Sequence, residues 1–267
     1  MRTVALVNQK GGVGKTTTAV NLAAGLAEKS RRVVLVDFDP QANATYAVGQ
    51  NPFSLGKSIH HVLLGDVSLA DIVLDTPLSG LRIAPSNLDL SAAELTLGSR
   101  VGRELLLRDA IEDLVLHSPE VDFVIIDCPP SLGLLTQNAL VAAQDLLIPI
   151  DARPFSLAGM NQLINLVDAI GKAFRHPVRL LGVLINLFDH TNLTEQICEQ
   201  IRHRFSDKVF RTIIARNIAI SDAQLNQVPV MLHAPRSSGA CNFRALAEEV
   251  LQRCNDVQAE WQWGRNR

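Results

Sequence analysis

The segment Gln9-Lys10-Gly11-Gly12-Val13-Gly14-Lys15-Thr16-Thr17 constrains this chain more than any other. It follows a short apolar run at 3–7 and opens a stretch of helical spacing at 16–28, so its glycines stand at a strand-to-helix turn. Glycines there let consecutive backbone N–H groups turn inward around phosphate oxygens, and the helix N-terminus adds its positive end. Lys15 supplies a point charge, and the Thr16 hydroxyl is suited to ligate Mg²⁺. Residues 10–17 are therefore the candidate cradle for a phosphate-bearing ligand. The usual form of such a loop, GxxxxGK[ST], has glycine at position 9. This chain has Gln9 there, followed by a second lysine, Lys10.

The rest of the chain repeats the strand-then-helix alternation. Short β-branched runs at 3–7, 33–37, 81–84, 123–127, 146–150, 180–187 and 209–214 read as strands. Apolar residues three or four apart predict helices over 16–28, 101–116, 133–143, 156–174, 193–205 and 240–254. Seven strands separated by helices predict an α/β fold, a doubly wound and mostly parallel sheet with helices on both faces, as in P-loop NTPases. The runs at 123–127 and 180–187 are nearly continuous in apolar residues, which predicts strands near the sheet centre. Residues 50–100 carry turn signals and short amphipathic pieces, and read as an excursion from the sheet. The expected organisation is one P-loop domain over 1–255 and a C-terminal tail over 256–267.

Composition narrows the classes further. The 267 residues are 47% hydrophobic with net charge −2, enough to bury a full core, and no apolar run reaches the roughly 18 residues of a spanning helix. The N-terminal apolar stretch is too short for a secretory signal, so a cytoplasmic protein is expected. Cys128, Cys198, Cys241 and Cys254 are dispersed without zinc-like spacing, and the seven histidines form no HxxxH. A metal held by protein ligands alone is not expected.

With its second lysine, the loop resembles that of the ParA/MinD group of P-loop ATPases. Two more blocks support the resemblance. The segment Val33-Val34-Leu35-Val36-Asp37-Phe38-Asp39-Pro40-Gln41-Ala42-Asn43 looks like the group's first switch, and Val124-Ile125-Ile126-Asp127-Cys128-Pro129-Pro130-Ser131-Leu132-Gly133 looks like its Walker B strand and second switch. The match runs from about residue 3 to 254. Gln9 within NQKGG favours the small Soj-like ParA partition ATPases over the MinD branch, and no helix-turn-helix segment is expected ahead of the loop.

The resemblance implies ATP and Mg²⁺ as cofactors, and a homodimer that forms on ATP when Lys10 reaches the partner's nucleotide. By motif position Asp39 orients the attacking water and, with Thr16 and Asp127, surrounds Mg²⁺, partly through water. Lys10, Lys15 and Asp39 are the expected catalytic set, and Asn186 resembles the asparagine that contacts adenine. Asp37 is left between a loop cap and a place near Mg²⁺.

Relatives bind nonspecific double-stranded DNA, so a basic surface on the nucleoid-bound form is expected. Residues 172–216 hold eight Lys/Arg against four acids, a local excess of +4 in an acidic chain. Where relatives often carry arginines, this chain has His190 and Ala219, which shifts the expected DNA contacts to Arg202, Arg204, Arg211 and Arg216. The implied function is ATP-driven partition of a chromosome or plasmid through a ParB-like partner that stimulates hydrolysis. Positioning of a protein assembly, such as a carboxysome or chemotaxis cluster, is the first alternative. A MinD-type membrane role would need an amphipathic C-terminus; the tail has Trp261 and Trp263 but also two acids and little apolar length. A small-molecule synthetase or iron–sulfur reductase is the third class, and the reductases would need bridging cysteines that Cys128 alone does not supply.

Overall fold

The computed structural model describes residues 1–264 except 155 and 158; the side chains of 256–264 and all of 265–267 lie outside the described residues. The expected tail therefore falls largely there, although the backbone of the last helix runs to Gly264. In chain order the elements are β1 (Arg2–Leu6), α1 (Lys15–Glu28), β2 (Val33–Asp37), α2 (Asn43–Ala47), α3 (Ile59–Leu64), β3 (Leu74–Asp75), β4 (Leu81–Ala84), α4 (Leu90–Thr96) and α5 (Leu106–His117). They continue with β5 (Phe123–Asp127), α6 (Leu134–Ala142), β6 (Asp145–Asp151), α7 (Met160–Ala173), β7 (Arg179–Phe188), α8 (Asn192–Phe205), β8 (Val209–Ala215), α9 (Ile218–Leu225), α10 (Val230–His233) and α11 (Ser238–Gly264). No helix among the described residues is long and apolar enough to cross a membrane.

The strands form one sheet in the order β3-β4-β2-β5-β1-β6-β7-β8, and every pair is parallel except β3 with β4. Alternation along the strands divides the core between the two faces. Val34, Val36, Ala5 and Ile126 join a cluster under α5, α6 and α7, while Val33, Leu35, Val4 and Ile125 pack under α1 and α11. The doubly wound sheet is as expected, and all seven expected strands occur within a residue or so of their predicted limits.

Three expectations are corrected. β7 lies one strand from the edge rather than near the centre, since only β8 stands beyond it. Its apolar run reflects cover on both faces by α8 and α11, not central position. Helix α5 begins at Leu106, five residues later than predicted, and α7 begins at Met160, because loop segments precede each helix. β3, α2, α3, α4, α9 and α10 are too short to show a period.

Helix α11 is clipped to β8 by a buried carboxylate. Glu249 accepts the backbone N–H groups of Arg211 (2.9 Å) and Thr212 (3.0 Å), the Thr212 hydroxyl (2.9 Å) and the Arg253 guanidinium (3.0 Å). These amides fall where the β7–β8 register shifts, so the ladder leaves them for a side chain to satisfy. Burial pushes the Glu249 pKa up, but the bonds from Arg211, Thr212 and Arg253 outweigh it and hold the carboxyl below its usual range. A lowered carboxyl pKa stabilises the fold above the unfolded-state pKa, near 4.5, and that contribution fades as pH falls through the lower folded value. Glu249→Ala is expected to cost about 3 kcal/mol at pH 7, and less in acid, measured by urea unfolding at both pH values. Equal losses at both would contradict the charged role.

Candidate nucleotide site

The carboxyl ends of the parallel strands gather the site. Leu6 pairs with Asp127, Asp37 with Asp127, and Asp151 with Asn186, so the loops leaving β1, β2, β5, β6 and β7 open on one edge. The P-loop leaves β1 and enters α1 through Gly12 (φ +73°) and Gly14 (φ +85°), left-handed positions that disfavour side chains. A Cβ on Gly14 would also lie 3.0 Å from Asn186 Nδ2, so that approach requires glycine. Around Gly11 and Gly12 the space is open to at least 4 Å, leaving a cradle that a phosphate can enter.

Lys15 is buried at the head of α1, and its ammonium donates to the Lys10 carbonyl at 3.1 Å. Burial lowers its pKa, and Asp127, Cys128 and Asp39 pull it back up. Asp127 is fully buried at the tip of β5, with both oxygens lacking a hydrogen-bond partner among the described residues. The Thr16 side chain approaches it and works against the pKa rise, but not in full hydrogen-bond geometry. Burial first, then the charges of Asp37 and Asp39, push the Asp127 carboxyl well above its usual range. Asp127 and Asp39 face one buried ammonium, and an orphaned carboxylate beside a threonine hydroxyl has the donor set of a hard cation such as Mg²⁺.

Asp37 makes the bonds of a loop cap. It accepts Thr45 N and Thr45 Oγ1, both at 2.7 Å, and Asp39 N at 3.3 Å, so it ties the loop after β2 to α2. Burial raises its pKa to about 6 against those bonds. Asp39, beyond β2, is 7% exposed and lines the same cavity as Lys15 and Thr16, with Oδ1 accepting Gln41 N at 2.9 Å.

Lys10 lies on its own chain. Its ammonium meets both Asp151 oxygens at 2.9 Å and Ser156 Oγ at 3.3 Å, while Ser156 Oγ donates to Asp151 at 2.6 Å. Asn8 sets the loop's start: it donates to the Pro149 carbonyl at 2.8 Å and accepts Lys10 N at 3.0 Å. Asn186 donates to the Val13 carbonyl (3.0 Å) and to Thr18 Oγ1 (2.9 Å). The carbonyl acceptor fixes the amide orientation, and Oδ1 is buried without a partner among the described residues. Only an acceptor remains free there for a ligand.

Sequence reasoning missed Asn8, Asp151, Ser156 and Gln224, the last of which donates from α9 to Thr17 Oγ1 at 2.7 Å. Asn8 stands beside the motif, where a polar residue between a strand and a glycine turn was the only signal; the others are remote in the chain.

The four expected DNA contacts do not gather. β7 and β8 are parallel, so α8 runs back between them, carrying Arg202 and Arg204 on the face it shares with α7, whereas Arg211 in β8 turns to α11 on the other face. Arg204 bonds the Asn161 side chain and Arg211 bonds Gln252. Arg216 follows β8 at its carboxyl end and lines the cavity beside Asn186. His190 is exposed at that same end, its ring edge-on to Phe188 at 4.6 Å, and Ala219 is half-buried in the first turn of α9.

The AAA domain family matches residues 1–180. The chain is 41% identical over 248 residues to the sporulation initiation inhibitor protein Soj of Bacillus subtilis, covering 92% of this chain and 97% of that one. It is 40% identical over 253 residues to the chromosome partitioning protein ParA of Myxococcus xanthus, covering 94% and 88%. Among solved structures it is similar to a cobyrinic acid a,c-diamide synthase from Mycobacterium smegmatis with bound ATP analog and magnesium, at TM-score 0.84 and 35% identity over 96% of each chain.

Proposed function

The chain belongs to the ParA/Soj family of chromosome-partitioning P-loop ATPases, and from that premise we propose that it hydrolyses ATP in a dimer that forms on ATP, binds nonspecific DNA and is released by a cargo-bound partner. The observation that carries this reading is the doubled lysine at the cleft: Lys15 is buried within the cradle, whereas Lys10 is held at its rim by Asp151.

In this reading residues 10–17 take the phosphates, and the Asn186 Oδ1 acceptor receives the adenine amino group. Thr16 and Asp127, with Asp39, would hold Mg²⁺, which would neutralise phosphate charge. Asp39 turns the attacking water toward the terminal phosphate. Lys10 leaves Asp151 and Ser156 to meet the nucleotide of a second copy. Lys10→Ala is accordingly expected to abolish ATP-dependent dimerisation while monomer affinity for ATP stays within about threefold, by light scattering and calorimetry. An ATP dimer of Lys10→Ala would remove that role.

The DNA contacts in this reading are Arg202 and Arg204 of α8 and Arg211 of β8, with Arg216 acting separately from beside the nucleotide cavity. Random-sequence duplex binding with ADP, ATP and a nonhydrolysable analogue, over a salt series and with anionic liposomes in parallel, tests this reading. Binding that needs ATP and weakens with salt supports it. Binding to liposomes alone favours the membrane reading, and turnover that responds to neither DNA nor a protein partner favours the small-molecule synthetase class of the Mycobacterium smegmatis neighbour. A ParB-like partner on a chromosome or plasmid is the first cargo adaptor to seek, and a protein assembly the second.

A further inference from the structure

The cleft consists of two cavities that meet. One, of about 360 Å³, opens beside Asn186, and the other, of about 680 Å³, lies over the P-loop and Asp39. Four residues line both: Gly14, Thr17, Ser221 and Gln224. With the base in the first cavity and the outer phosphates in the second, the ribose and α-phosphate must cross at these four. Gly14 and Thr17 belong to the P-loop motif. Ser221 and Gln224 come from α9, more than 200 residues later, and their spacing of three puts both on one side of that helix.

Gln224 is not idle at the junction. Its Nε2 donates to Thr17 Oγ1 at 2.7 Å. A hydroxyl that accepts from an amide has one hydrogen left, and with its acceptor side engaged that hydrogen is free to turn toward the cavity. We propose that Gln224 is a positioning residue for the nucleotide: it fixes the Thr17 hydroxyl as a donor to the α-phosphate and ties α9 across the ribose, with Ser221 beside it. This inference rests on the cleft being an ATP site, and goes beyond it by assigning the middle of the nucleotide to a helix outside the loop motif. The polarity of the bond matters more than the tether. A side chain that could only accept would take Thr17's one hydrogen and present a lone pair to the phosphate.

The experiment compares Gln224→Glu and Gln224→Ala with the unaltered full-length protein, measuring ATP and ADP affinity with Mg²⁺ by calorimetry and the melting temperature of each. Glu keeps length and can still receive the Thr17 hydrogen, so the tether survives while the donor to phosphate is lost and a negative charge arrives. Gln224→Glu is expected to weaken ATP and ADP alike by about 30- to 100-fold at an unchanged melting temperature. Gln224→Ala is expected to lose about five- to tenfold for both, because the α-phosphate is common to them. In a Thr17→Val background, Gln224→Ala should cost less than twofold more, since its effect runs through the hydroxyl. Affinities within twofold of the unaltered protein in Gln224→Glu would overturn the proposal, as would a loss confined to ATP, which would put the contact at the terminal phosphate. Failure of the unaltered protein to bind either nucleotide would instead refute the ATP reading of the cleft, and this proposal with it.

Discussion

Lys15→Ala is expected to lower ATP affinity by at least about a hundredfold, the combined loss of two charge-assisted hydrogen bonds worth about 1.5–3 kcal/mol each. The geometry explains why no neighbour compensates. Lys15 is the buried cation of the cradle, and its ammonium has the Lys10 carbonyl as hydrogen-bond partner, an acceptor that phosphate oxygens can replace without breaking an ion pair. Without it, Asp39 and Asp127 would meet an incoming polyanion with no buried positive charge beside them. The fold should not suffer. Burial already lowers the Lys15 pKa, which marks a desolvation cost that alanine removes, and alanine is a strong helix former at the head of α1. Calorimetric titration with ATP and Mg²⁺, beside a thermal melt, separates the two effects. Affinity within threefold of the unaltered protein would take Lys15 out of the site, and a melt lowered by many degrees would show that it is chiefly structural.

The same geometry shows which parts of the site a linear reading can reach. The P-loop, Asp39 and Asp127 were legible because each sits one or two residues from a strand whose apolar run announces it, and a parallel sheet brings all strand tips to one edge. Asp151 also stands at a strand tip, at the end of β6, but its role depends on Lys10, 141 positions away, folding back on it. Gln224 lies on an eight-residue helix too short for its period to register, and its partner Thr17 is 207 positions distant. Local pattern is blind to both. Asp37 shows the opposite case, in which two roles were open from sequence and the bonds it makes are those of the cap, to Thr45.

Charge counting fails for a related reason. The excess of positive charge over 172–216 is real in sequence, but the segment passes through α7, β7, α8 and β8, so its cations are spread over both faces of the sheet. Arg204 bonds Asn161 at the start of α7, Arg211 bonds Gln252 of α11 on the other face, and Arg216 stands beside the nucleotide cavity. The run at 180–187 misled in the same manner, because burial of both faces requires helices above and below, and an outer strand with α8 and α11 over it meets that condition.

Asp39→Ala is expected to separate binding from turnover: ATP affinity unchanged or raised, hydrolysis lowered about a hundredfold or more, and the ATP dimer accumulating. Asp39 lines the phosphate cavity with Lys15 and Thr16 and is 7% exposed, so its charge meets a bound nucleotide through little solvent. A carboxylate so placed repels the ground-state phosphates, and its removal relieves that repulsion. It earns its place only when water must be turned toward the terminal phosphate, an interaction realised in the transition state. Its bond from Gln41 N at 2.9 Å orients the carboxylate, which keeps lone pairs able to accept from water. Asp39→Asn offers a finer comparison, keeping size and an acceptor while removing the charge, and should lie between alanine and the unaltered protein in rate. Single-turnover hydrolysis together with light scattering under ATP makes the test. Unaltered turnover in Asp39→Ala would exclude the water-positioning role, and loss of ATP binding in parallel with turnover would move Asp39 to the loop's structural support, beside Asp37.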